Sequence, residues 1–340
     1  MAINALKTFL SWFTRPFYGG IGTILMFHRI VPQIQKIRRP ENAALETTLE
    51  ELEQVIRFFI ARRYEFASLD RVHEILTSGR RNRRFVAFTF DDGYADVLVY
   101  GYPIFKKYDV PFAVNLISGF PDRQVVLWWY LLEELLLTRQ QIQFDLDGVS
   151  YDFDLTSPQG VNQASDQIRR LVKFASPDQF EHRLEAVFSP YFDDLYRKTG
   201  ELALSWDEVR RLTSDPLVTI SAHTARHYVL SKLDEEDARQ EILSGKERIE
   251  AELQQEVRHF AYPYGGPNEA GSREFALAES CSFLTAATTR FANLFPAHRN
   301  HLHALPRMEV ARLGGVGGLA WALNGFSTLR RNHFRRVVVE

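Results

Sequence analysis

Apolar runs recur along the chain, separated by longer amphipathic stretches. Eight of them read as strands: TILMFHRI (23–30), YEFASLD (64–70), RFVAFTFDD (84–92), VPFAVNLIS (110–118), LVTISAH (217–223), HFAYPYG (259–265), SFLTAATT (282–289) and ALPRMEV (304–310). Most are continuous rather than alternating, as strands covered on both faces of a parallel sheet should be. TLEELEQVIRFFIARR (48–63) and DEEDARQEILSGKERIEAELQQ (234–255) instead space their apolar residues by three and four, the mark of helices with one buried face. Strands alternating with helical crossovers predict an α/β fold, a distorted (β/α) barrel of seven to eight strands.

The regularity breaks between about 120 and 200. WWYLLEELLL and the polar stretch after it read as an insertion with its own helices and a hairpin. Residues 21–340 are therefore expected to form a single barrel domain carrying that insertion. Residues 1–20 read as an amphipathic helix, with Ile3, Leu6, Phe9, Leu10, Phe13 and Phe17 near helical spacing. Lys7 interrupts the apolar run, and no small-residue cleavage site follows, so neither a secretory signal nor a membrane span is expected. Two placements suit such a helix: docking on the protein's own body, or peripheral membrane contact through residues 3–17. The basic clusters RRNRR (80–84) and RRNHFRR (330–336) suit solvated surface or contact with anionic lipid.

The composition is that of an ordinary globular protein: 45% hydrophobic and 25% charged over 340 residues. A net charge of -2 gives no case for nucleic-acid binding. The single cysteine, Cys281, excludes an internal disulfide and fits a reducing, cytoplasmic compartment, with the protein at most peripheral at the inner membrane face. Nothing in the chain specifies an oligomeric state.

The candidate chemistry sits at predicted strand ends, where barrels of this type gather their functional residues. Asp91 and Asp92 close one strand, and Gly93 allows a sharp turn after them. Two adjacent carboxylates repel, and a bound divalent cation would relieve that repulsion. SAHTARH (221–227) closes another strand with His223 and His227 four residues apart, a spacing that aims both imidazoles one way on a helical turn. Together with the carboxylates they suggest a His-His-Asp metal site with an open position. FAYPYGG (260–266) is a rigid aromatic turn that can present a backbone N–H to a developing oxyanion.

In that order and spacing, TFDDG (89–93), HTARH (223–227) and FAYPYG (260–265) resemble the three motifs of the polysaccharide deacetylase family, the NodB-homology carbohydrate esterases. The resemblance covers most of the chain outside the insertion. It implies that Asp91 is the general base, that Asp92, His223 and His227 hold the metal, commonly zinc, and that the Tyr264 N–H helps to stabilise the oxyanion. The family's late catalytic histidine has no convincing copy here. His28 ends a strand near the N-terminus instead, which resembles the permuted members acting on poly-N-acetylglucosamine and implies His28 as general acid. One position departs from the pattern. Ala261 stands where the family carries the arginine that orients the base, and Arg307 in LPRMEV is the candidate substitute. Glu309 is a candidate for orienting a histidine.

Trp128 and Trp129 offer faces on which sugar rings stack, and Tyr94 and Tyr262 join them as candidate substrate contacts. The cluster HRNHLH, with His298, His301 and His303, lacks an acidic partner and reads as surface or substrate rim. The expected protein is a metal-dependent deacetylase acting on the N-acetyl group of an amino sugar in a glycan or sugar precursor. The alternatives are an O-acetyl esterase or deformylase built on the same site, or a catalytically silent glycan-binding protein.

Overall fold

The computed structural model describes residues 13–34 and 38–339. Eight parallel strands lie in one sheet: β1 (Gly22–Phe27), β2 (Glu65–Phe66), β3 (Phe85–Asp92), β4 (Phe112–Leu116), β5 (Val218–Ala222), β6 (His259–Ala261), β7 (Thr285–Ala287) and β8 (Met308–Glu309). Their order is β7-β6-β5-β4-β3-β1-β8, with β2 beside the start of β3. The sheet curls on itself until Ala287 forms a parallel bridge with Leu305, just ahead of β8. Each expected strand run contributes to this sheet, so the chain has the expected barrel fold.

The long apolar runs form strands because both of their faces are covered. All eight residues of β3 are buried. Phe88 and Phe90 pack outward with Phe27, Phe105 and Phe112, and the Phe105 and Phe112 ring centres are 4.5 Å apart. Helix α1 (Leu49–Ala61) covers this side with Leu52, Val55, Ile56 and Phe59. A reciprocal cap starts it: the Glu51 N–H donates to Thr48 Oγ1, and the Thr48 N–H donates back to the Glu51 carboxylate.

Two expected strands are shorter in the fold. The 64–70 run keeps only Glu65–Phe66 in the sheet, because Ser68 Oγ accepts from the Arg71 N–H and starts a helix at Leu69. The 304–310 run keeps only Met308–Glu309. Of the expected helix over 1–20, residues 13–18 are helical, and Ile3, Leu6, Phe9 and Leu10 lie outside the described residues.

Between β4 and β5 lie α2 (Trp128–Thr138), an antiparallel hairpin of Gln141–Leu146 and Val149–Asp154, and α3 (Pro158–Lys173). The hairpin turns on Asp147 and Gly148, both at positive φ, a favoured two-residue connection. Its Ile142, Phe144 and Leu146 are buried in alternation with exposed neighbours. α2 brings Trp128 and Trp129 to the C-terminal end of the sheet.

Strand register decides what meets at that end. Asp91 on β3 pairs with Asn115 on β4, and Asn115 pairs with Ser221 on β5. Strand alternation places Asp91 on the same face as Thr89. Asp92 leaves the alternation, because its φ is +74° and that of Gly93 is +98°. A Cβ at residue 93 would stand 2.4 Å from Leu116 Cδ1. Gly93→Ala is expected to cost about 1–3 kcal/mol, read as a lower urea midpoint at unchanged m-value.

Candidate active site

Asp91 is the most tightly held group at the C-terminal end of the sheet. Arg307 grips it with both terminal nitrogens, at 2.6 Å and 2.7 Å. Asn115 Nδ2 donates to the same carboxylate at 2.6 Å, and Ser221 Oγ donates to the Asn115 amide oxygen. Arg307 is itself fixed, donating from Nε to Thr288 O at 3.0 Å and from Nη1 to Thr89 Oγ1 at 3.2 Å. Burial alone would raise the pKa of Asp91. The Arg307 guanidinium and the neighbouring His223 outweigh it and hold the carboxyl well below its usual range.

Asp92 faces two imidazoles. Its Oδ1 is 3.5 Å from His223 Nε2 and 3.5 Å from His227 Nε2. One ligand atom from each of the three residues lies within 4.8 Å of the others, the only such His/Cys/Asp/Glu group among the described residues. His223 Nδ1 sits 2.7 Å from the Ala261 carbonyl, which can only accept, so Nδ1 carries the proton and Nε2 offers a lone pair toward Asp92. Burial pushes the pKa of His227 down to about 3, which keeps that ring neutral and able to ligate. Bonds of about 2.0–2.1 Å to a tetrahedral zinc place ligand atoms roughly 3.3–3.4 Å apart. The residues therefore fit a divalent metal with room for a further ligand.

The histidines do not converge on a helical turn, as their spacing suggested. Residues 223–227 form a bend in which Thr224 and His227 both have φ of +64°. The bend is held from helix α4 (Glu235–Leu253). The Arg226 N–H donates to the Glu241 carboxylate at 2.5 Å, and the Ala225 N–H donates to the Glu241 backbone carbonyl at 3.2 Å. Gly245 on the same helix comes so close that a Cβ would stand 2.6 Å from the Thr224 carbonyl carbon.

His28 follows β1, and Glu309 ends β8. The pairing of these strands brings His28 Nδ1 to 4.0 Å from Glu309 Oε1. Tyr264 has φ of +61°, and its ring centre is 4.7 Å from that of His227. Among the described residues its N–H has no hydrogen-bond partner. A cleft of about 910 Å³ joins His28, Asp91, Asp92, His223, His227, Tyr264 and Arg307, with Trp128 and Trp129 on its wall.

Several expected contacts fall elsewhere. Tyr94 and Tyr262 are 0% exposed and do not line the cleft. The Tyr94 hydroxyl accepts from Trp129 Nε1 at 3.1 Å, and the Tyr262 hydroxyl donates to His303 O at 2.8 Å, so both are core residues with their polar tips satisfied. His298 is fully buried rather than on a rim, and burial pushes its pKa down to about 4. His303 Nε2 is bonded to Phe283 O at 2.7 Å. Sequence reasoning missed Asn115, Ser221 and Glu241. The first two carry a faint signal, as polar residues near the ends of otherwise apolar strands.

A family model described as polysaccharide deacetylase matches residues 78–276. The chain belongs to this family, whose members are hydrolases acting on the N-acetyl groups of sugars. Among solved structures it is similar to the deacetylase PplD of Streptococcus pyogenes in complex with acetate, at 18% identity and a TM-score of 0.53, over 84% of this chain and 90% of that one. It is also similar to IcaB from Ammonifex degensii, at 16% identity and a TM-score of 0.54, over 90% of this chain and 98% of that one. A de-N-acetylase from Aggregatibacter actinomycetemcomitans aligns at 14% identity and a TM-score of 0.52, over 91% and 98% of the two chains. At these identities the likeness is one of fold. No curated protein sequence matches the chain.

Replacing Arg307 by Met is expected to cost about 3–5 kcal/mol, because the Asp91 charge stays buried without its cation. Pairing Arg307→Met with Asp91→Leu should recover much of that loss in urea denaturation. Glu241 gives a pH test. Burial raises its pKa to about 7, above the ordinary value of about 4.3. Its contribution to stability is thus full below that ordinary value and lost as pH rises through about 7. Glu241→Gln should flatten the thermal midpoint between pH 5 and 8 relative to the wild type.

Proposed function

We propose that the protein is a metal-dependent deacetylase that hydrolyses the N-acetyl group of an amino sugar in a polysaccharide, oligosaccharide or glycan precursor. The observation that carries this reading is the pairing of two differently held carboxylates in one cleft. Asp91 is forked by Arg307, and Asp92 is turned toward His223 and His227. Residues 21–340 are proposed to act as a single domain, with the insertion supplying the Trp128 and Trp129 wall.

Asp92, His223 and His227 would hold the metal, and their nitrogen and oxygen donors favour zinc. A divalent ion there would lower the pKa of water and polarise the acetyl carbonyl. The chain's own groups do the remainder. Asp91, ionised and immobile, accepts the proton that water loses as its oxygen bonds to the acetyl carbon. The free Tyr264 N–H faces the carbonyl oxygen as negative charge develops on it. His28, beside Glu309, gives a proton to the sugar nitrogen as the C–N bond breaks. Acetate and a free amine are the products. Trp128 and Trp129 would stack on the sugar.

The Arg307 fork supports catalysis over silent glycan binding. It supplies, from the chain entering β8, the orienting contact that Ala261 cannot make. A soluble or lipid-linked sugar intermediate of exopolysaccharide synthesis is the proposed substrate.

Acetate release should be measured on a panel of N-acetylated sugars, nucleotide sugars and oligosaccharides, with and without chelator. Activity should vanish with chelator and return with zinc. Asp91→Asn and His28→Gln should each lower kcat by about 10²–10⁴-fold at unchanged metal content. Hydrolysis of O-acetyl sugars alone would overturn the amide assignment. Glycan binding without turnover, unaltered in Asp91→Asn, would overturn catalysis.

A further inference from the structure

The first and last described segments meet on one face of the barrel. Thr14 Oγ1 donates to Asn324 O, Tyr18 OH donates to Phe334 O, and Asn293 Nδ2 donates to Tyr18 O, each at 3.0 Å. The Arg336 guanidinium lies 5.5 Å from the Tyr18 ring centre. These contacts join residues 13–18 to the chain that follows helices α5 (Gly315–Leu323) and α6 (Phe326–Arg331), and to Asn293.

The composite face is unlike the remaining surface in two respects. It carries Phe13, Phe17 and Phe334, which are 51%, 59% and 70% exposed and are the most exposed aromatic side chains among the described residues. Its segments are also basic: residues 310–339 contain five arginines and no Asp or Glu, and residues 13–18 contain Arg15 and no Asp or Glu, in a chain of net charge -2. Of these arginines, Arg312 is paired with Glu309. Arg15, Arg330, Arg331 and Arg336 are all exposed. Arg331 ties this face to the catalytic cleft, because it lines the cleft while stacking 4.4 Å from the ring centre of Phe291, another lining residue.

We propose that this face docks on a membrane surface rich in anionic phospholipid. The phenylalanine rings would enter the boundary between headgroups and acyl chains, and the arginines would meet the lipid phosphates. Apolar insertion and cationic attraction are both needed, since either alone holds a protein weakly at a bilayer. The contact is peripheral: among the described residues no helix is long and apolar enough to cross a membrane. Docking this way sets the Arg331 side of the cleft at headgroup level, where a lipid-borne glycan would present its sugars. The docking itself is independent of the reaction the cleft performs.

The test is sedimentation of the full chain with phosphatidylcholine vesicles and with vesicles that also contain phosphatidylglycerol. Binding should be about tenfold or more tighter on the anionic vesicles and should weaken with added salt. Two double variants separate the two contributions. Phe17→Ser with Phe334→Ser, and Arg15→Glu with Arg330→Glu, should each weaken binding to anionic vesicles by about tenfold or more. Their circular dichroism and thermal midpoints should match the wild type. The proposal is overturned if the wild type binds neither vesicle, binds both equally, or loses nothing in either double variant.

Discussion

The site is organised around one buried ion pair. Asp91 and Arg307 are both removed from solvent, and the guanidinium meets the carboxylate with two parallel N–H donors. Desolvating two charges is expensive, and such a pair is tolerable only when its geometry is good and its leftover hydrogen-bonding capacity is met. Thr288, Thr89 and Asn115 meet it here. The pair therefore constrains four strands at once. β3 supplies Asp91 and Thr89, β4 supplies Asn115, the chain just beyond β7 supplies Thr288, and the chain entering β8 supplies Arg307. Sliding any of these strands by one residue would strand a charge in the barrel.

The neighbouring cluster relies on backbone conformation. Asp92, Thr224, His227 and Tyr264 all have left-handed φ values, although none is glycine. Such conformations cost free energy and persist where the surroundings over-determine them. Gly93, Gly245 and the Glu241 carboxylate are among those surroundings. The cleft thus sets a rigidly held, buried Asp91 carboxylate beside an Asp92, His223 and His227 cluster whose placement relies on left-handed backbone at residues 92, 224 and 227.

This contrast explains what the sequence could and could not convey. FTFDDG and SAHTARH declared themselves because strand ends are visible as apolar runs that stop at polar residues. The barrel was legible for the same reason. The bend at 223–227 was not, since a spacing of four reads as helix unless the left-handed residues are known. Tyr94 and Tyr262 look like sugar platforms in a linear motif, yet each packs its ring in the core and ties its hydroxyl to a nearby group. Arg307 could be nominated only as a replacement for the residue missing at Ala261. Its contact depends on strand order, which apolar patterning does not specify. Asn115 and Ser221 became meaningful only through register.

The distance along the chain between the two halves of the ion pair has a consequence for biosynthesis. Asp91 and Arg307 are 216 residues apart, and β1 borders β8, the last strand of the sheet, on one side. A ribosome releases the carboxylate long before its cation. Contacts of such sequence separation form late, after the loop between them has closed. The strands β1 to β7 all precede Arg307 in the chain, and the buried Asp91 carboxylate has no forking cation until Arg307 emerges. A chain that ends short of that point would lack both β8 and the cation that forks the Asp91 carboxylate.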